Sequence, residues 1–513
     1  MRLSLTDNNF NQTFHFCINK IITFAAQKFI ELKKIKDFTE GHILRQIITL
    51  ALPIMGSSFI QMAYNMTDML WLGHIGSGAA AAVGAAGFFV WLGNSLGFTT
   101  KFGAEIGISQ SLGAKSTNRA KLFASHSVIM GVSIALIFTV FIRLFADNLV
   151  GIFNFQEADV VKMSTEYLMI VSLGMVFTFM NPTLSGIYNG TGNSSIPFYF
   201  NTVGLILNIA LDPILMFGYL GAPALGTNGA AIATVFSQAV VTGLFILHLS
   251  SKRSPFPNFF NRGKISPQIA KSIFKFGSPI ALQSGMFSVF AMIMARIVSD
   301  WGAIAVAIQS VGAQIEAISW MTASAFATAL GSFVGQNYGA KKFDRIRKSY
   351  FHTLSITLLF GIGASILFIF GGEMVFSWFI PEPEAIKMGG VYLRILGYSQ
   401  TFMILEIVTT GAFNGTGKTV PPSITGTLLT AARIPLALLL AYTFAMELDG
   451  VWWSITLSSI AKGTILFIWF RIAFNRLLRN QNIEIETKSI LIRLLPTRIR
   501  QQVFSMLQRN KKN

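Results

Sequence analysis

Residues 110–119 read QSLGAKSTNR, and residues 336–345 read QNYGAKKFDR. Gln110, Gly113, Ala114, Lys115 and Arg119 thus return as Gln336, Gly339, Ala340, Lys341 and Arg345, each 226 positions on. The same shift carries Pro53 onto Pro279 and Gly76 onto Gly302. A shift of 225 carries Tyr167 onto Tyr392 and Asn189-Gly190-Thr191-Gly192 onto Asn414-Gly415-Thr416-Gly417. Composition bias does not hold register over such distances. The chain is therefore a duplication of a unit of roughly 200 residues, too long for a solenoid repeat.

The solvent of this fold follows from composition. Of the residues 52% are hydrophobic and 12% charged, with 47 Phe, where a soluble domain carries about 25% charged residues. Apolar runs such as 132–141, 355–370 and 436–444 sit inside stretches long enough to cross a bilayer, which takes about 20 residues. Twelve spans are expected, starting near 46, 80, 122, 165, 196, 228, 272, 304, 350, 389, 420 and 450. They must be helices, because backbone groups in lipid are bonded within the segment.

The net charge of +18 invites a nucleic-acid reading, but its placement argues against one. Lys and Arg gather before the first span and after the second, sixth and eighth spans, and again in the tail. The alternate loops hold Asp147, Glu157, Asp159, Asp300, Glu373, Glu382, Glu384, Glu447 and Asp449. That alternation places both termini in the cytoplasm, as an even number of spans requires. The sequence then divides into an N-terminal extension (1–42), an N-lobe of six spans (43–250), a Ser/Pro/Lys/Arg-rich linker (251–270), a C-lobe of six spans (271–475) and a basic tail (476–513). An even number of spans per copy makes the two copies parallel, as two bundles facing across a central cleft. No cleavable signal is expected at the start. Residues 19–36, and the tail from about 480, read equally as a helix on the inner leaflet or as a solvated extension. Cys17 alone implies no disulfide.

Ionised groups inside a bilayer call for a partner or a function. In the first span Gln61, Asn65 and Asp68 share one helical face with Tyr64, as expected of a wet cavity wall. Pro53 should weaken that helix near its start. In the fifth span Asn201, Asn208 and Asp212 share a face, and Pro213 after the acid favours a broken backbone there. Thr234 offers a hydroxyl in the sixth. Two carboxylates, an amide and a hydroxyl suit a small hard cation; two close carboxylates also suit a held proton. The repeat puts Met294 opposite Asp68 and Ile434 opposite Asp212, so the acids belong to one copy only. The second copy has charges of its own: Glu316, Glu406 and Arg433. Glu406 and Arg433 form a buried structural pair on one reading, and Glu316 either lines the cleft or makes an interhelical contact. Glu105 with Lys101 reads as a local pair.

The Asn-Gly-Thr-Gly turns lack the spacing and the preceding strand of a phosphate loop. No HExxH, CxxC or GxSxG appears, so no enzymatic activity and no cofactor are expected.

These residues resemble the multidrug and toxic compound extrusion (MATE) transporters. The likeness rests on Pro53, Gln61, Tyr64 and Asp68, the two Gln-x-x-Gly-Ala-Lys ends, and the two Asn-Gly-Thr-Gly turns. It extends to Asn208-x-x-x-Asp212-Pro213 and Gly229-Ala-Ala-Ile-Ala-Thr234, over about residues 40 to 475. The resemblance implies twelve helices in two lobes and cation-driven export of bulky, often cationic amphiphiles by a monomer in the cell (inner) membrane. It implies an H+ or Na+ site at Asp68, Asn208, Asp212 and Thr234, and a bend of the first helix at Pro53. The branch typified by norfloxacin exporters has a seventh-span acid where this chain has Phe287, and its tenth-span acid lies about one turn before Glu406. Gln314-Ile315-Glu316 resembles the DinF-like branch instead. The rival within the superfamily is a lipid-linked oligosaccharide flippase, which would need a cationic cleft; outside it, a channel or a signalling membrane protein.

Overall fold

The structure, a computed structural model, describes residues 35–251, 254–256 and 266–494. The helices, in order, are α1 Ile43–Ile75, α2 Ser77–Gly113, α3 Thr117–Gly151, α4 Ala158–Gly190, α5 Ser195–Phe217 and α6 Gly226–Ser250. The second set is α7 Pro267–Val298, α8 Ala303–Gly339, α9 Phe343–Ser377, α10 Pro383–Gly397, α11 Gln400–Gly415, α12 Val420–Ala431, α13 Arg433–Leu438 and α14 Glu447–Leu494. Among the described residues, eleven helical segments are long and apolar enough to cross a membrane. The pair α10 and α11, bent by 49° at their break, makes a twelfth. The fold is all-α, with two six-span bundles. Large apolar side chains point outward with little cover, Leu144 and Leu359 at 71% exposure and Phe370 at 83%. Such a surface suits lipid and would aggregate in water.

The duplication is visible in the backbone itself. Gly76 (φ 143°) and Gly302 (φ 91°) form the abrupt corners between α1 and α2 and between α7 and α8. A side chain is strained at such angles, which explains why both copies keep glycine. Lys115 and Lys341 take almost the same left-handed conformation, φ 57° and 56°, in the turn that follows each Gly-Ala-Lys motif.

Of the two expectations about proline, the broken backbone at Pro213 fails, while the single lost bond near the start of the first span at Pro53 is as expected. Pro53 and Pro213 both lie inside unbroken helices, α1 and α5. Each proline removes only its own N–H, so the helix loses one bond, at the carbonyls of Thr49 and Ile209, and continues. The eleventh span does break, between α12 and α13, ahead of Pro435. The last span also runs past residue 475 as one helix to Leu494. The remainder of the tail and most of 19–36 lie outside the described residues.

The two bundles meet at the ends of α2 and α8, where Lys and Arg cluster. A β-carbon at Gly113 would collide with the Gln336 carbonyl, and one at Gly339 with the Gln110 carbonyl. The helices therefore cross backbone on backbone, which only glycine permits. Gln110 donates from Nε2 to the Gly415 carbonyl at 2.9 Å. Further along α2 the contacts across the halves include Ser95 with Ser284 at 3.0 Å. Nearer its start α2 instead touches its own half, at Ala82 with Ser164.

Candidate functional site

The first-span acid is placed by the packing of α1 on α5. Gly56 has no β-carbon because the Phe198 ring fills that space. Both helices then run the same way. At a rise of 1.5 Å per residue, Asp68 lies about 18 Å and Asp212 about 21 Å beyond that contact. Their carboxyl groups therefore arrive at nearly one height, and the two come within hydrogen-bonding reach. Asn208 Nδ2 donates to Asp212 Oδ1 at 3.1 Å. Asn208 and Asp212 have no exposed surface, and Asp68 is half-buried.

The site leaves both acceptors and hydroxyls unpaired. Asp68 Oδ1, Asp212 Oδ2, Asn208 Oδ1, Thr234 Oγ1 and Tyr64 Oη are buried without a hydrogen-bond partner. Buried polar atoms are normally satisfied, so five unpartnered ones in one place mark a candidate binding locus. Two carboxyl groups this close need a proton or a cation between them, since a carboxylate is acceptor-only. The donor set fits either.

Thr234 reaches the site despite its long spacing from Asp212, with the phenols of Tyr64 and Tyr167 as neighbours. Tyr167 was visible in the sequence only as a repeat residue. Gln61, Asn65 and Asn201 do not join: among the described residues no hydrogen bond links them to the acids. Gln61 and Asn65 are exposed and bond only each other, at 3.4 Å.

The second copy fills the equivalent place with hydrocarbon. Met294, opposite Asp68, is 4% exposed within a core that holds Tyr392, Val451 and Trp452, with Ile434 against it. Its charges sit elsewhere and differ from expectation. Glu406 pairs with Lys462 at 3.0 Å, not directly with Arg433. Arg433 donates from Nε to Ser458 at 2.6 Å and from Nη2 to Ser459 at 3.1 Å. Glu316 accepts from Gln400 Nε2 at 3.0 Å. Lys462, in the last span, was missed because it follows an ordinary Ser-Ile-Ala run. Glu105 and Lys101 feel each other's charge without a direct salt bridge, and Glu105 Oε1 accepts from Ser332 of the other half at 3.0 Å. Lys101 lies instead beside the Phe98 and Phe102 rings, at 5.2 and 5.1 Å.

The family model described as MatE matches this chain twice, over residues 53–214 and 279–443, one match to each copy. The chain belongs to the MatE family. Among its relatives are a probable multidrug resistance protein NorM of Thermotoga maritima, 28% identical over 431 residues (83% of this chain, 92% of that protein). Another is the multidrug export protein MepA of Staphylococcus aureus, 22% identical over 426 residues (82% and 92%). A solved MATE in its bent conformation superposes with a TM-score of 0.81 at 22% identity, covering 86% of this chain and 98% of that one. A MOP superfamily transporter from Pyrococcus furiosus gives 0.80 at 23%, with the same coverage. At such identities the MatE structures speak to the fold, which is the two-bundle fold described above.

Proposed function

We propose that this protein is a cation-coupled antiporter that exports amphiphilic, mainly cationic compounds by alternating access. The observation that carries the reading is the Asp68–Asp212 pair, with its unpartnered oxygens, in one bundle only. A requirement of the fold would recur in both copies; a coupling site need not. Inward flow of H+ or Na+ would drive the cycle through Asp68, Asn208, Asp212 and Thr234. The ion can shift the populations of inward-open and outward-open forms only by binding one of them more tightly. The Lys/Arg-rich ends, where the bundles meet, would face the cytoplasm. The arrangement described above is then closed to the inside. The relatives named for multidrug export or resistance support the substrate class.

A flippase for lipid-linked oligosaccharides would need free cations to hold a pyrophosphate. Lys462 is paired with Glu406, and Arg433 is held by two serines beside acids, so nothing favours that reading.

The test is dye efflux in everted vesicles under an imposed pH or Na+ gradient. Asp68→Asn should abolish gradient-driven efflux while expression and gel-filtration profile stay normal. Full coupled efflux in the variant would eliminate the site.

A further inference from the structure

Residues 35–42, which the sequence reading assigned to an N-terminal extension, are built into the junction between the halves. Phe38 is 2% exposed, belongs to a core otherwise formed largely by the second copy, and stacks on Phe333 at 5.7 Å. The second copy grips the backbone of this strap at successive residues. Gln336 accepts from the Phe38 amide at 2.8 Å and donates to the Lys36 carbonyl at 3.1 Å. The Phe38 carbonyl receives Asn337 Nδ2 at 3.1 Å and Arg345 Nη2 at 3.0 Å. Lys342 reaches the Thr39 carbonyl at 2.8 Å, and Arg345 Nη1 the Gly41 carbonyl at 3.0 Å. The strap also holds the first copy: the Lys36 amide donates to the Thr191 carbonyl at 3.0 Å, in the Asn-Gly-Thr-Gly turn. Gly192 of that turn would touch Phe38 and Lys36 if it carried a β-carbon.

The repeat shows what the strap replaces. In one direction Gln110 bonds directly to the opposite turn, at Gly415. Its mate Gln336 would by symmetry meet Gly190, but the strap is interposed and takes both ends of its amide. Asp37 adds a charge match. Burial pushes its carboxyl up, but the Thr39 amide and hydroxyl, with Lys342 and Lys115, outweigh that and hold it below the usual carboxylate range.

We propose that residues 35–42 are a latch that locks the two bundles together at their basic end. Opening toward the cytoplasm requires the strap to leave Gln336, Asn337, Lys342 and Arg345 while it stays joined to the first bundle through α1. The sequence that recurs in the second copy as Gln336 and Arg345 thereby gains a role its first-copy mates do not have.

Ser109 has no exposed surface and lies against Gly335 in the closed junction, so a cysteine there reports opening. In Cys17→Ser/Ser109→Cys protein, everted vesicles expose the cytoplasmic face to an impermeant maleimide. Adding Phe38→Ala leaves the backbone hydrogen bonds in place but removes the buried ring stacked on Phe333, and should speed labelling by about tenfold or more, the direction expected when a large buried side chain is truncated. Unchanged labelling in a monodisperse variant would overturn the proposal. A second measurement locks the strap covalently: Cys17→Ser/Thr39→Cys/Lys342→Cys, bridged by a bis-methanethiosulfonate, which forms a disulfide with each cysteine and releases sulfinate; the bridge takes the place of the Lys342 contact with the Thr39 carbonyl. Efflux should stop on bridging and return on reduction; full efflux while bridged would also overturn it. The labelling needs no ion gradient, so its result is independent of the Asp68 test.

Discussion

The charges of the second copy present a choice between substrate contact and internal scaffold, and Lys462→Met decides it. Lys462 and Glu406 lie 3.0 Å apart with side-chain exposures of 9% and 13%. At an effective dielectric of 20 that separation corresponds to an attraction of roughly 5 kcal/mol before desolvation is charged against it. As built, the cluster holds two cations, Arg433 and Lys462, and two anions, Glu316 and Glu406. Lys462→Met leaves one cation against two anions. Breaking one side of a buried pair costs about 3–5 kcal/mol because the partner stays buried and uncompensated. Arg433 is close enough to Glu406 to relieve part of that, so the lower end, about 3 kcal/mol, is expected. At about 2 °C per kcal/mol for a large chain, the apparent melting temperature in detergent should fall by roughly 5 °C or more. Glu406→Gln on the same background restores one cation against one anion, and should recover most of the loss. Melting is followed by size-exclusion chromatography after heating, and transport by dye efflux. The reasoning is refuted if the single variant is as stable as the parent. It is refuted equally if the double variant is stable but has lost substrate affinity, because Glu406 would then be a substrate contact.

Two further outcomes follow from the asymmetry of the copies. Tyr167→Phe removes a hydroxyl next to Thr234 and the acids, and should lower coupled efflux about tenfold, the order of a hydrogen bond to a charged group; Tyr392→Phe, its repeat mate in the apolar core, should leave coupling intact. Met294→Asp recreates the first-copy acid inside hydrocarbon, and should cost several kcal/mol as a melting shift rather than add a second coupling ion. Ion flux per dye exported measures the latter.

The fold was legible because its signals are long and redundant. An offset of 226 held over several motifs, and apolar runs of bilayer length need no tertiary information. The acid pair was legible for a related reason: Gln61, Asn65 and Asp68 violate the cost of polarity in lipid, and so do Asn208 and Asp212. Periodicity gives a face, not a neighbour, which is why it grouped Gln61, Asn65 and Asn201 with acids they do not touch. It also missed Tyr167 and Lys462, whose roles exist only where other helices pass. The break expected at Pro213 did not appear because a proline inside a helix removes a single bond and leaves the rest of the ladder intact. The strap was hidden most completely. Its contacts are made by its backbone carbonyls, and no side-chain pattern announces which carbonyls will be used.

The two copies share their corners, their glycine crossing and their inner turns. Besides the breaks in the tenth and eleventh spans, they differ in the acids of the first bundle, the compensated charge cluster of the second, and the strap at their junction. A symmetric pair of bundles has no reason to respond to an ion bound on one side. With Asp68 and Asp212 in one bundle only, ion binding on the proposed reading would change the first bundle's internal packing while its mate, filled by Met294 and its neighbours, would stay fixed. The strap runs directly into α1, the helix that carries Asp68. A displacement of α1 at the acid pair is therefore joined through one continuous helix to the backbone that Gln336 and Arg345 hold. The proposed coupling site and the proposed seal are two ends of the same element. A rigid α1 would transmit the event and a hinged one would absorb it, so the unbroken passage of α1 through Pro53 is what connects them in this closed form.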